Sequence, residues 1–156
     1  MGLHQEVVAA FVDEMRLCGD DCAIVLIGSV AAGTERETSD LDLNLFFVDE
    51  ASAHRLSPYV DDDNRWQLQV KRVDRGVRID VAWETFDGLA ERLRDDGPAD
   101  CWSFSRGTIL HDPHKAVEPL QLAARRWFEE HPEVGARHAA QYAEAKRRQS
   151  TERNRK

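Results

Sequence analysis

Asp40 and Asp42 lie two positions apart where an apolar alternation, Leu41-Leu43-Leu45, begins. On a strand alternate side chains share a face, so both carboxylates point the same way with backbones roughly 6.5–7 Å apart. So placed, they repel each other unless a cation sits between them or one keeps a proton. A second apolar run, Ala23-Ile24-Val25-Leu26-Ile27, leads into Gly28-Ser29, and Gly33 follows four positions after Ser29. Free N–H groups of that turn can receive a phosphate. A divalent metal beside a phosphate cradle is equipment for handling a nucleoside triphosphate.

Three rival readings fail on particular residues. Asp40-Leu41-Asp42-Leu43-Asn44 opens like a calcium loop, but that loop needs Gly sixth and an acid twelfth, where this chain has Leu45 and Ala51. A phosphate loop of the G-x-x-x-x-G-K-[ST] type fails because Thr34 and Glu35 follow Gly33. A serine-hydrolase elbow is absent, since Ser29 directly follows Gly28.

The Gly28-Ser29 pair, the ten-residue spacer Val30 to Ser39, and Ser39-Asp40-Leu41-Asp42-Leu43 resemble the signature of the nucleotidyltransferase superfamily that includes DNA polymerase β. A third carboxylate, needed by that family on a later strand, is offered by Asp80 in Arg78-Ile79-Asp80-Val81-Ala82-Trp83, and Gly107 to Pro113 resembles a stretch that often closes the domain. The resemblance implies an α+β fold with a mixed sheet flanked by helices. It further implies catalytic, metal-binding Asp40, Asp42 and Asp80, two Mg²⁺ ions, and an NTP, ATP above all, held by Gly28, Ser29, Gly33 and Ser39. The reaction implied is transfer of a nucleoside monophosphate to a hydroxyl of a small molecule or protein, with pyrophosphate leaving. Small stand-alone members modify antibiotics or, as antitoxins, add AMP to a HEPN-type toxin; the alternative is a nucleotide-binding or antitoxin-like module without turnover. Where such proteins often carry arginine after Gly-Ser, this chain has Val30, so the cation for the triphosphate is open among Arg36, Lys71, Arg72 and Arg78. Glu84 shares the Asp80 face about 13 Å further along and reads as a substrate-side or solvated acid.

To gather three acids, strands 23–27, 41–48 and 77–83 must lie side by side. Periodicity predicts an opening helix over 4–18, a short helix from Ser29 to Gly33, another over 50–58, and a polar turn at 61–64. A hairpin of 66–73 and 77–83 turns at Asp74-Arg75-Gly76, and a helix over 85–96 is capped by Thr85 and broken by Gly97-Pro98. Two helices, 114–130 and 133–149, close the chain. The expected division is a catalytic domain over 1–114 and a helical extension with a basic tail over 115–156 in the same globule.

Composition fits one ordinary domain of 156 residues, 42% hydrophobic and 32% charged. No apolar stretch reaches the roughly 18–20 residues of a membrane span and no signal peptide is evident, so a cytoplasmic protein is expected. Cys18, Cys22 and Cys101 lack metal-site spacing and read as structural thiols. The net charge of −8 is uneven: seven Lys/Arg against Glu144 and Glu152 give residues 137–156 about +5 and the rest about −13. An acidic body repels a nucleic-acid duplex, leaving the tail as the one segment suited to touch nucleic acid; it reads as a solvated, frayed helix end. The oligomeric state stays open.

Overall fold

The leucine alternation of residues 41–47 becomes a strand with two unlike faces. In the computed structural model, which describes residues 2–16, 19–56, 59–95, 98–153 and 155, Leu41, Leu43, Leu45 and Phe47 are fully buried on one face of β2 (Leu41–Phe47). Asp42, Asn44 and Phe46 take the other face. The sheet is mixed and five-stranded, in the order β3-β4-β2-β1-β5, with β1 Cys22–Ile27, β3 Gln69–Asp74, β4 Val77–Thr85 and β5 Thr108–His111. β1 runs antiparallel to β2, and β4 runs parallel to it on the other side. The expected α+β mixed sheet, with its three named strands adjacent, is present.

The leucine face packs on α1 (Leu3–Arg16), whose Val7, Phe11, Val12 and Met15 recur at helical spacing and are all buried. Ile24, Leu26, Ile79, Val81 and Trp83 complete that layer. The opposite face carries Ala23, Val25, Ile27 and Phe46 under α4 (Phe86–Asp95), α5 (Trp102–Ser105) and α6 (Val117–Glu130). Cys22 and Cys101 are buried, one in each layer. α7 (Pro132–Arg153) follows and is held by ring contacts: His138 stacks on Trp102 at 6.0 Å and meets Phe128 edge-on at 6.1 Å.

Several boundaries differ from expectation for local reasons. α3 (Glu50–His54) begins where Asp49 accepts the Ser52 N–H at 2.7 Å, and is shorter than 50–58. Positions 17, 18, 57, 58, 96 and 97, which include Cys18 and the break at Gly97, lie outside the described residues. β3 starts at Gln69 rather than near 66: Trp66 has φ 57° and turns onto the other face, against Phe46 and under the Arg92 guanidinium. Residues 61–64 close as a capping box, and the buried Asn64 amide donates to Tyr59 O and Val81 O, fastening that loop to β4. Thr85 does cap α4, accepting the Gly88 N–H at 3.0 Å. β5 and α5 were not anticipated; four-residue elements are too short to show a period. α7 runs four residues beyond the expected end, so the basic tail is helical through Arg153.

Candidate active site

β2 and β4 pair in parallel with Leu41 opposite Ile79 and Asp42 opposite Asp80. That register puts two carboxylates side by side on one face, with Asp40 just ahead of β2. On the other flank Asp42 pairs with Ile27, the last residue of β1. The chain then turns through Gly28, at φ +75°, into the short α2 (Gly28–Ala31). A methyl group at position 28 would lie 2.4 Å from Asp42 Oδ2. Glycine is required there on two counts, the left-handed backbone and the approach of the carboxylate. Ser29, next in line, is buried.

Crowding sets the electrostatics. The Asp42 carboxyl is pushed up to about 7, first by burial and then by the charges of Asp80 and Asp40, with Lys146 and Arg78 pulling the other way. Arg78 lies across the remaining two acids. Its Nη2 is 3.2 Å from Asp40 Oδ2 and 3.0 Å from Asp80 Oδ2, and its Nε donates to Asp80 Oδ1 at 3.2 Å. The hydrogen bonds to Asp80, helped by the charges of Asp80, Asp40 and Asp42 and opposed by burial, raise the Arg78 guanidinium above its ordinary value. The site therefore carries its own cation between two carboxylates, with a third held near neutrality beside them.

Hard carboxylate oxygens are the donors that Mg²⁺ takes, and Mg²⁺ commonly completes its octahedron with waters and substrate phosphates. Two or three such ligands are enough for it. Among the described residues no three acids, histidines or cysteines are arranged so as to hold a metal ion. The Arg78 guanidinium takes the position between Asp40 and Asp80 where positive charge is favoured.

A cleft of about 470 Å³ opens over these acids, within the range of small-ligand sites. Ser29, Ser39, Asp40, Asp42, Arg78 and Asp80 line its sheet side, with Arg36 and Thr38 from the spacer. Ser39 is also structural: its Oγ accepts the Arg36 N–H at 2.8 Å and its carbonyl accepts from His4 Nε2 at 2.8 Å. Gly33, at φ +67°, ends the α2 turn with open space around it, and is not part of the cleft wall.

Other expectations are corrected. Lys71 pairs with Asp61, and Arg72 with Glu14, Tyr59 and Asp74, so neither hairpin cation lines the cleft. Glu84 is not solvated and does not line the cleft of the three acids: it is 3% exposed and held by two hydrogen bonds from Arg65, at 2.6 and 2.9 Å. Burial works to raise its carboxyl, but the Arg65 and Thr85 hydrogen bonds outweigh that and hold it below the usual range. The sequence reading also missed the far wall. Tyr142, Ala145, Lys146, Gln149 and Ser150, one face of α7, line the cleft opposite the acids. Their i, i+3, i+4, i+7, i+8 spacing was visible, but the stripe is polar and carries no hydrophobic signal.

A family model described as nucleotidyltransferase domain matches residues 8–100, which take in the latter part of α1, the Gly28-Ser29 turn and all three acids. No curated protein matches the chain. No helix among the described residues is long and apolar enough to cross a membrane.

Proposed function

The chain belongs to the nucleotidyltransferase domain family, and from that premise we propose that it transfers a nucleoside monophosphate from an NTP, ATP first, to a hydroxyl group, releasing pyrophosphate. The observation that carries this reading is the register pairing Asp42 with Asp80, with Asp40 beside them at the mouth of one cleft. In the reaction the acceptor oxygen bonds to the α-phosphorus as the bond to the pyrophosphate oxygen breaks in line. Asp40 and Asp42 would hold Mg²⁺, with Asp80 on the acceptor side, and the metal would supply stabilisation of the charge that builds up during transfer. Asp80 orients the acceptor hydroxyl and draws off its proton. Ser29 and Ser39 orient phosphate oxygens along the sheet side of the cleft. Arg78, which pairs with Asp40 and Asp80, would have to release them for those carboxylates to take a metal.

The acceptor is a small molecule or a protein, and the setting is cytoplasmic. Residues 1–114 carry the chemistry, with 115–156 as the covering extension. Incubation with each labelled NTP, Mg²⁺ and candidate acceptors, read as pyrophosphate release, tests the reading. It fails if no NTP yields pyrophosphate above a control lacking the protein.

One observation favours a second reading. Arg78 already pairs with both Asp40 and Asp80, as would suit a module that binds nucleotide, or a HEPN-type toxin, without turnover. Nucleotide binding without pyrophosphate release selects that alternative.

A further inference from the structure

α7 presents a polar face to the cleft from the side opposite the acids. Among the described residues of this helix none is buried, and its ring contacts with the domain include Trp102 stacking on His138 and facing Tyr142 at 6.1 Å. Beyond Tyr142 the inward positions are Ala145, Lys146, Gln149 and Ser150. A helix face of that composition gains little from apolar burial. Two features mark it as a ligand wall. The Tyr142 hydroxyl is shut off from water and meets no hydrogen-bond partner among the described residues, a state that costs stability unless a ligand completes it. Lys146, whose ammonium lies 5.3 Å from the Tyr142 ring centroid, has no carboxylate within ion-pair distance among the described residues.

The other cations around the cleft are engaged. Arg78 holds Asp40 and Asp80, and Arg36 reaches across to Ser150 Oγ at 3.5 Å. Position 30, directly after the Gly-Ser pair, is valine. A triphosphate in this cleft brings several negative charges next to three carboxylates and needs a cation on its far side. Lysine is suited to that role as a mobile point charge with three donors.

We propose that Lys146 binds the triphosphate tail, so that the nucleotide is held between the β2–β4 acids and α7. The assignment rests on the nucleotidyltransferase reading and names the cation that reading lacks. It also gives the basic helix end a role at the site, in place of a solvated one.

The test is calorimetric titration of the full chain with each of the four ribonucleoside triphosphates and their monophosphates in Mg²⁺, for wild type, Lys146→Met, Lys146→Arg and Arg147→Met. Arg147 is an exposed neighbour outside the cleft wall. The expected result is a loss of about 10-fold or more in triphosphate affinity for Lys146→Met, roughly the effect of one charge-assisted contact. Monophosphate affinity stays unchanged, Lys146→Arg recovers most of the loss, and Arg147→Met behaves as wild type. Three outcomes overturn the proposal: Lys146→Met binding triphosphate as well as wild type does, an equal loss for triphosphate and monophosphate, or an equal loss in Arg147→Met. If wild type binds none of the four triphosphates, the nucleotidyltransferase reading itself falls. Binding by wild type with no effect at Lys146 removes the lysine alone.

Discussion

Gly28 and Asp42 touch so closely that a single added methyl on the first would stand 2.4 Å from a carboxylate oxygen of the second. Gly28→Ala therefore combines a left-handed backbone strain with displacement of the Asp42 carboxylate. Gly33 offers the control, since its φ of +67° imposes the same kind of strain while open space surrounds its Cα. Both substitutions are expected to cost about 1–2 kcal/mol in a denaturant melt. Only Gly28→Ala should lose transfer activity, by about 100-fold or more. Equal activity in the two variants would mean that the Asp42 position is not critical.

Asp42 makes the metal-free protein sensitive to pH. Its folded-state carboxyl titrates near 7, above the 3.8 of an unperturbed aspartate. The native state thus holds an extra proton between those values, and this contribution to stability is lost as pH rises from about 4 to about 7. Asp42→Asn removes the dependence. In EDTA its stability should match wild type near pH 4, draw ahead as pH rises, and lead by roughly 1–4 kcal/mol above pH 7. A constant gap across that window would show that Asp42 titrates normally.

Arg78 serves as the internal counter-ion of Asp40 and Asp80. Arg78→Gln should lower metal-free stability by about 0.5–1 kcal/mol, because the guanidinium side of the pairs is about half exposed and screened. Added Mg²⁺ should then raise the melting temperature more in the variant than in wild type, since no guanidinium competes for the carboxylates. A smaller Mg²⁺ response in the variant would show that Arg78 helps hold the ion instead.

Asp80 separates transfer from binding. Asp80→Asn should still bind nucleotide through Asp42, Asp40 and Ser29, while its transfer rate falls by about two orders of magnitude, about 2.7 kcal/mol of transition-state stabilisation. Calorimetry beside a pyrophosphate assay on this one variant reads both quantities. Near-normal turnover would remove Asp80 from the site.

Glu84 predicts the reverse pattern. Glu84→Ala leaves Arg65 without its buried partner and should destabilise by roughly 2–3 kcal/mol, while nucleotide binding at the far end of β4 persists. A loss of nucleotide affinity without loss of stability would put Glu84 back beside the substrate.

What the sequence made legible was whatever is local and periodic. The leucines at 41, 43 and 45 set the buried face of β2, while the place of β4 beside it followed only from the family resemblance, which needs Asp80 to meet Asp40 and Asp42. Thr85 announced the cap of α4 because a cap is decided within four residues. Glu84 was misread because its partner, Arg65, comes from 19 positions earlier and arrives only through folding. Trp66 broke the expected strand by adopting a positive φ, which no alternation of types reveals. The α7 wall stayed hidden because polar residues facing a cleft look, in sequence, like polar residues facing water.

The sheet order also fixes when the site can come into being. β1 with β2, and β3 with β4, are antiparallel neighbours in the chain, whereas the parallel β2–β4 seam joins residues 38 positions apart, Asp42 to Asp80. A tight hairpin such as β3–β4 closes in microseconds, and the β1–β2 connection is shorter than the β2–β4 one, whereas contacts of large sequence separation must first overcome the entropy of a long loop. Both halves can therefore acquire strand structure before the carboxylates have met. During refolding, recovery of nucleotide binding should lag the circular-dichroism signal of the strands and keep time with the closure of that one seam.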